Sequence, residues 1–139
     1  DLVHQMKADF PALEIVINGG IASLAEAKAH IDRGLDGAMI GRAAYHTPAD
    51  ILGQADPVIF GRGEARLAED VVLEMLPYIE AHVSRGGRLN HITRHMLGLF
   101  AGRPGARQWR RYLSEHAHSD GAGPEVVEQA LARVMPVAA

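Results

Sequence analysis

The hydrophobic pattern changes period once along this chain, near Pro57, and that change sets the fold class. Ahead of Pro57, short apolar runs alternate with helical stretches. Leu2 to Asp9 reads as a helix. Glu14-Ile-Val-Ile17 is a β-branched run bounded by turn formers, which predicts a buried strand. Ser23-Leu-Ala-Glu26 has the spacing of a capping box and opens a helix through Ile31, ended by Gly34. Gly37-Ala-Met-Ile40 is a second short strand. Thr47-Pro48 supplies an N-cap and a proline at the first helical position. This β-α-β-α order predicts parallel strands joined by crossover helices.

Beyond Pro57 no strand signal remains. Apolar residues at Leu67, Val71, Met75, Ile79 and Val83 predict a helix over 64–85, kinked at Pro77. Segments 88–101, 105–117 and 124–134 read as three more helices, separated by Gly and Pro signals. Four helices with short connections predict a bundle. The expected class is α/β plus all-α, divided between residues 1–56 and 57–139. There is no internal repeat and no low-complexity segment.

Both predicted strands end in a glycine turn that leads toward a helix: Asn18-Gly19-Gly20 after the first and Gly41-Arg42 after the second. Such turns bind phosphate because backbone N–H groups converge there and a helix N-terminus is partly positive. Arg42 would add a charge-assisted contact. Tight turns also use glycine for geometry alone, so the turns by themselves leave both uses open. The loops after strands seven and eight of a (β/α)₈ barrel form a cup of this kind. Two strands cannot close a barrel, so on that reading the others precede residue 1. The chain opens on DLVHQMKADFP, already in a helical pattern, and is expected to be a piece of a longer protein.

The formal charge is −3, from 17 acids and 14 Lys+Arg. All the acids lie outside residues 81–114. That window holds Arg85, Arg88, Arg94, Arg103, Arg107, Arg110 and Arg111, with His82, His91 and His95. An acid-free basic window is the footprint expected for a polyanion partner. The alternative is a solvated face whose counter-charges come from elsewhere in the fold.

Helical angles assign the arginines a direction. At about 100° per residue, Arg110 and Arg111 fall at about −60° and +40° from Arg107, on one face. Trp109, Tyr112, Leu113 and His116 fall opposite, so Trp109 is expected to anchor the core. On the preceding predicted helix, His91, Arg94, His95 and Gly98 share a face, and Ile92, Met96, Leu97, Leu99 and Phe100 cover the rest. His91 and His95 stand at a zinc-ligand spacing, but the H-E-x-x-H glutamate and a third ligand are missing, so no metal is expected. Two helices presenting Arg and His outward suggest phosphate contacts, which set affinity rather than sequence choice. Arg103 and Arg107 flank the Pro104-Gly105 turn and extend that surface.

At 47% hydrophobic, the 139 residues suit a soluble globular protein. No apolar run approaches the roughly 18 residues that cross a membrane, and no signal-peptide pattern is present. The absence of cysteine excludes disulfides, thiolate metal sites and a catalytic Cys within the chain. It fits a reducing, cytoplasmic setting.

Ile17-Asn-Gly-Gly-Ile21, Asp36-Gly37, Ile40-Gly-Arg-Ala-Ala-Tyr45 and the block His91-Ile-Thr-Arg-His-Met-Leu-Gly-Leu-Phe100, continuing to Pro104-Gly-Ala-Arg-Gln-Trp-Arg-Arg-Tyr-Leu-Ser114, resemble the C-terminal part of tRNA-dihydrouridine synthases of the A type. The resemblance covers nearly the whole chain. The glycine turns alone are unspecific, whereas the His91–Ser114 block is very specific. The A type is favoured because the first turn reads Asn-Gly-Gly where other bacterial subfamilies tend to have Asn-Gly-Asp.

The resemblance implies a flavin enzyme with an N-terminal TIM barrel and a C-terminal helical tRNA-recognition domain. Residues 1–56 would then be the last two βα units of an FMN-binding barrel, and 57–139 the tRNA domain. Family members reduce D-loop uridines of tRNA to 5,6-dihydrouridine: NADPH reduces FMN, hydride passes to C6, and a cysteine protonates C5. The uridine has to leave its stack to reach the flavin. By this resemblance Asn18, Gly19, Gly20, Gly41 and Arg42 look like the FMN-phosphate cup. Arg107 and Arg110 look like tRNA-binding positions, with Arg94, His91, His95, Arg103 and Arg111 on the same surface. The family's catalytic cysteine has no match here, so the chain alone is expected neither to turn over uridine nor to hold FMN tightly. A monomer is expected.

Two other readings compete. One is a stand-alone helical RNA-binding module with a vestigial α/β lead-in, against which the paired glycine turns argue. The other is an unrelated phosphate-cup barrel enzyme, against which the arginine face argues.

Overall fold

A computed structural model describes residues 2–134. The chain divides into two compact units between Ala65 and Arg66. The division expected at residues 56 and 57 falls inside a short helix, Ala55–Ile59.

The first unit runs α1 (Leu2–Asp9), β1 (Val16–Asn18), α2 (Leu24–Asp32), β2 (Gly37–Met39), α3 (Arg42–His46), α4 (Pro48–Ile51), a 3-10 turn over Leu52–Gln54, and α5 (Ala55–Ile59). The two strands pair in parallel, with Val16 opposite Gly37, Ile17 opposite Ala38 and Asn18 opposite Met39. The expected β-α-β-α order is therefore present, with β1 displaced one to two residues toward the glycine turn. A charged knot sets this register. Lys7 Nζ donates to Asp36 Oδ2 at 2.7 Å and to the carbonyl oxygens of Pro11 and Leu13. Asp36 Oδ2 also accepts the Ile15 N–H at 2.8 Å. The Lys7 ammonium, and then the Ile15 amide, hold the Asp36 carboxyl below its ordinary value.

The capping box forms with a small displacement. Ser23 Oγ accepts the Glu26 N–H at 3.1 Å, while Glu26 Oε2 accepts from Ala22 rather than from Ser23. Gly34, at φ 99°, ends the helix in the left-handed region. Thr47 departs from expectation. It precedes Pro48 at the start of α4, but its hydroxyl makes no cap there. The hydroxyl donates backward to the Ala43 carbonyl at 3.0 Å, so it closes α3 instead. Ile21, Ala27, Leu35 and Ile51 are buried, whereas Val16 on β1 and Met39 on β2 are 51% and 46% exposed. Strands of a parallel sheet are usually covered on both faces. Among the described residues these two are not.

The second unit contains α6 (Ala68–Ser84), α7 (Asn90–Thr93), α8 (Ala106–His116) and α9 (Pro124–Leu131). α6 continues through Pro77. Its buried positions are Ala68, Val72 and Ile79, so the inward stripe is turned slightly from the expected one, and Leu67 lies outside the helix.

The expected helix over 88–101 is a correction, and the four-helix bundle is not borne out. Only Asn90–Thr93 is α-helical. Beyond it the backbone winds in three-residue turns: His95 N–H bonds Ile92 O, Met96 N–H bonds Thr93 O, and Leu99 N–H bonds Met96 O. At three residues per turn, side chains at i and i+3 eclipse. Thr93, Met96 and Leu99 are all buried accordingly. Gly102 and Gly105, both at positive φ, then reset the chain direction into α8. The apolar spacing seen in the sequence fits this tighter winding as well as it fits an α-helix.

Candidate functional site

In the first unit, the carboxyl ends of β1 and β2 open on a cleft of about 560 Å³. Asn18, Gly19 and Gly20 form one wall, with Gly41 and Arg42 on another. Gly19 and Gly20 hold φ of 134° and 74°, and a Cβ built at either would meet nothing within 4 Å. Backbone conformation, not lack of space, therefore requires glycine at this turn. The resulting surface is bare backbone, the kind that lets an anion come close to amide hydrogens.

Arg42, exposed, begins α3, and His46 follows one turn later on the same side. Both line the cleft. Among the described residues no carboxylate lines it. The N–H of Ala22, itself a lining residue, is committed to the Glu26 carboxylate. Of the residues expected at a phosphate cup, all five come together here. His46 and Met39 also line the cleft, beyond the residues expected from the sequence. The i, i+4 spacing from Arg42 to His46 was a readable signal for the first of them.

In the second unit, α8 orients as its angles predict. Ala106, Trp109 and Leu113 are buried, and Arg107, Arg110 and Arg111 are exposed. Trp109 is 0% exposed and meets Phe100 edge-on, with ring centroids 4.9 Å apart. Its Nε1–H donates to the Met96 carbonyl at 3.0 Å. Arg107 and Arg110 carry no ion pair among the described residues. Arg111 Nε donates to Glu115 Oε1 at 2.7 Å, with the Arg111 side chain 76% exposed. That bond holds the Glu115 carboxyl below its ordinary value.

Arg103 is differently placed. Its guanidinium grips the Glu69 carboxylate through two bonds, one of 2.9 Å from Nη1 to Oε2. It also lies 5.1 Å from the centre of the Phe100 ring. The Arg103 hydrogen bond lowers the Glu69 pKa, and Glu69 raises that of Arg103. Arg103 thus ties α6 to the turn ahead of α8. His91, Arg94 and His95 are exposed. They sit at α7 and on the three-residue turns after it, not along one α-helical face. Arg94 Nε donates to His95 Nε2 at 3.1 Å, and His91 meets His82 edge-on. No group of three or more His, Asp or Glu among the described residues could hold a metal ion, and no helix there is long and apolar enough to cross a membrane.

A βα-unit with glycine-lined strand ends is the layout that α/β proteins use at the carboxyl face of their sheets. The chain belongs to the dihydrouridine synthase family, whose model matches residues 1–135. It is 60% identical over 131 residues to a tRNA-dihydrouridine(20/20a) synthase of Shewanella oneidensis, covering 94% of this chain and 38% of that protein. The protein of the same name from Yersinia pestis is 56% identical over 135 residues, covering 96% of this chain and 39% of the relative. That from Vibrio cholerae is 55% identical, covering 94% and 40%. The chain thus spans about two fifths of the length of the relatives it matches.

Proposed function

We propose that this chain is the C-terminal portion of a flavin-dependent tRNA-dihydrouridine synthase that reduces D-loop uridines of tRNA to 5,6-dihydrouridine in the cytoplasm. The observation that carries the reading is the exposed Arg107–Arg110 face, held outward by a buried Trp109, in a chain of the dihydrouridine synthase family.

The first unit, on this reading, is the last two βα units of a TIM barrel. The glycine turn and Arg42 would hold the phosphate end of FMN, the turn through its amides and Arg42 through its guanidinium. The residues fit such a group: the turn is bare backbone and no acid is among the lining residues, the one nearby carboxylate, Glu26, being held by the Ala22 N–H. FMN, reduced by NADPH, supplies the hydride chemistry when bound. This chain contains no cysteine, so the proton donor that the resemblance assigns to a cysteine is not among its residues, and the chain alone is inactive. The second unit, 66–134, is the RNA-contacting module. Arg107 and Arg110 neutralise phosphates of the D-loop region and so set position and affinity, and Arg111 does so to a lesser extent. Arg103 takes a structural part, because Glu69 already occupies its guanidinium.

The test is binding of an unmodified tRNA transcript to the 139-residue chain at two salt concentrations. Micromolar, salt-sensitive binding that drops in Arg107→Ala/Arg110→Ala supports the assignment. Equal affinity in wild type and double variant, with both folded, sinks it.

A further inference from the structure

A second cleft opens at the end of the arginine face, of about 240 Å³. Asn90 and Thr93 of α7 and Arg94 line one side, and Ser114 of α8 and His118 the other. Leu97 and Leu113 supply an apolar floor. Drug-sized ligands occupy pockets of about 300–1,000 Å³, so this one suits a group the size of a single base, with any attached phosphate outside at the rim.

Its lining has three notable properties. First, it holds one guanidinium and no carboxylate. The Nε of Arg94 is given to His95, and among the described residues its outer nitrogens take no acceptor. Second, Asn90 Nδ2 lies 3.1 Å from His118 Nδ1. An amide nitrogen can only donate, so the ring nitrogen accepts, and the two side chains fix each other. Asn90 Oδ1 is buried and has no partner, which leaves an acceptor in this wall that the described chain does not satisfy. Third, the cleft continues the arginine face. On α8, Ser114 falls at about −20° from Arg107, between Arg110 and Arg111.

We propose that this cleft receives one unstacked nucleotide of the RNA bound along α8. Arg94 meets its phosphate, the Leu97–Leu113 floor supports the flat face of the base, and Asn90 takes an N–H from the base edge. The inference rests on the assignment of the Arg107–Arg110 face to RNA. It adds what that face lacks, since phosphate contacts carry no base information while base-edge contacts do.

The test is a titration of the isotope-labelled chain with adenosine 5′-monophosphate, followed by amide NMR shifts, with inorganic phosphate as a parallel probe. Saturable shifts at the Asn90 side chain, Ser114 and His118 with the nucleotide but not with phosphate are expected. In Asn90→Ala, with helix content retained, affinity for the nucleotide falls about three-fold or more. Asn90→Asp places a carboxylate in the acid-free lining and weakens binding further. Identical shifts from nucleotide and phosphate, confined to Arg107–Arg111, would overturn the cleft proposal and leave the RNA face standing. Absence of any nucleotide shift at the cleft overturns it too. Failure of the face itself is read separately, from tRNA affinity unchanged in Arg107→Ala/Arg110→Ala.

Discussion

Trp109 donates its indole hydrogen to the backbone carbonyl of Met96, thirteen residues earlier, at 3.0 Å. This bond fastens the arginine-bearing helix to the three-residue turns before it, from inside the core. Trp109→Ala removes a fully buried aromatic and is expected to cost about 3–5 kcal/mol. Trp109→Phe keeps an aromatic ring in the core but removes the indole hydrogen bond, leaving the Met96 carbonyl with the Leu99 N–H alone, and is expected to cost about 0.5–1.5 kcal/mol for that bond. Chemical denaturation measures both. A Trp109→Ala variant of unchanged stability that no longer binds RNA would falsify the core assignment.

Arg111 is restrained by Glu115, whereas Arg107 and Arg110 are not. If the arginine face binds RNA as proposed, Arg111→Ala reduces tRNA affinity less than Arg107→Ala or Arg110→Ala. Glu115→Gln frees Arg111 and removes a negative charge from beside the proposed RNA face. It should raise affinity a few-fold at most, because an exposed pair is weak in water, and steepen the salt dependence by about one phosphate contact. Anisotropy titrations at two salt concentrations decide this, and a weakened Glu115→Gln complex would count against it.

The Arg103–Glu69 pair gives the second unit a pH dependence. Glu69 is depressed below its ordinary value of 4.5, first by the Arg103 hydrogen bond. A depressed carboxyl contributes stability that is full above the ordinary value and is lost as pH falls through the folded one. Acid should therefore weaken this unit progressively below about pH 4.5, while at neutral pH the contribution is constant. Glu69→Gln is expected to cost about 1–3 kcal/mol at pH 7 and to flatten the acid limb. A wild-type limb retained in Glu69→Gln would assign it to other groups.

Gly20 is expected to matter through its backbone alone. Alanine at φ 74° meets no neighbour, so Gly20→Ala costs about 1–2 kcal/mol from left-handed strain. A relaxed turn would reorient the amides of the cleft and weaken phosphate binding there. Phosphate-induced amide shifts at residues 19–22, compared between the two proteins, report it. An unchanged response means that the turn is geometric only.

Much of this fold was legible because local rules governed it. The capping box at Ser23 and Glu26, the glycine stop at Gly34 and the outward direction of Arg107 and Arg110 each follow from residues within a turn or two. Thr47 holds the N-cap position ahead of Pro48 as the sequence predicts, but a hydroxyl between two helices can bond to either one, and the carbonyl of Ala43 lies in reach. The 88–101 segment was misread because buried residues at a spacing of three suit two windings. The Trp109–Met96 bond, which occupies a carbonyl that an α-helix would use internally, is a tertiary contact with no local signature. The Arg103–Glu69 pair likewise has no local signature, since its members lie thirty-four positions apart in sequence.

Trp109 is the chain's single tryptophan, sealed in the second unit against Phe100. Its fluorescence is thus a private reporter of residues 66–134, blind to the sheet and glycine turns. Ellipticity sees helices on both sides of Ala65. If the two units melt independently, the optical signals will part company along a denaturant series, and the emission curve alone will follow the arginine-bearing half.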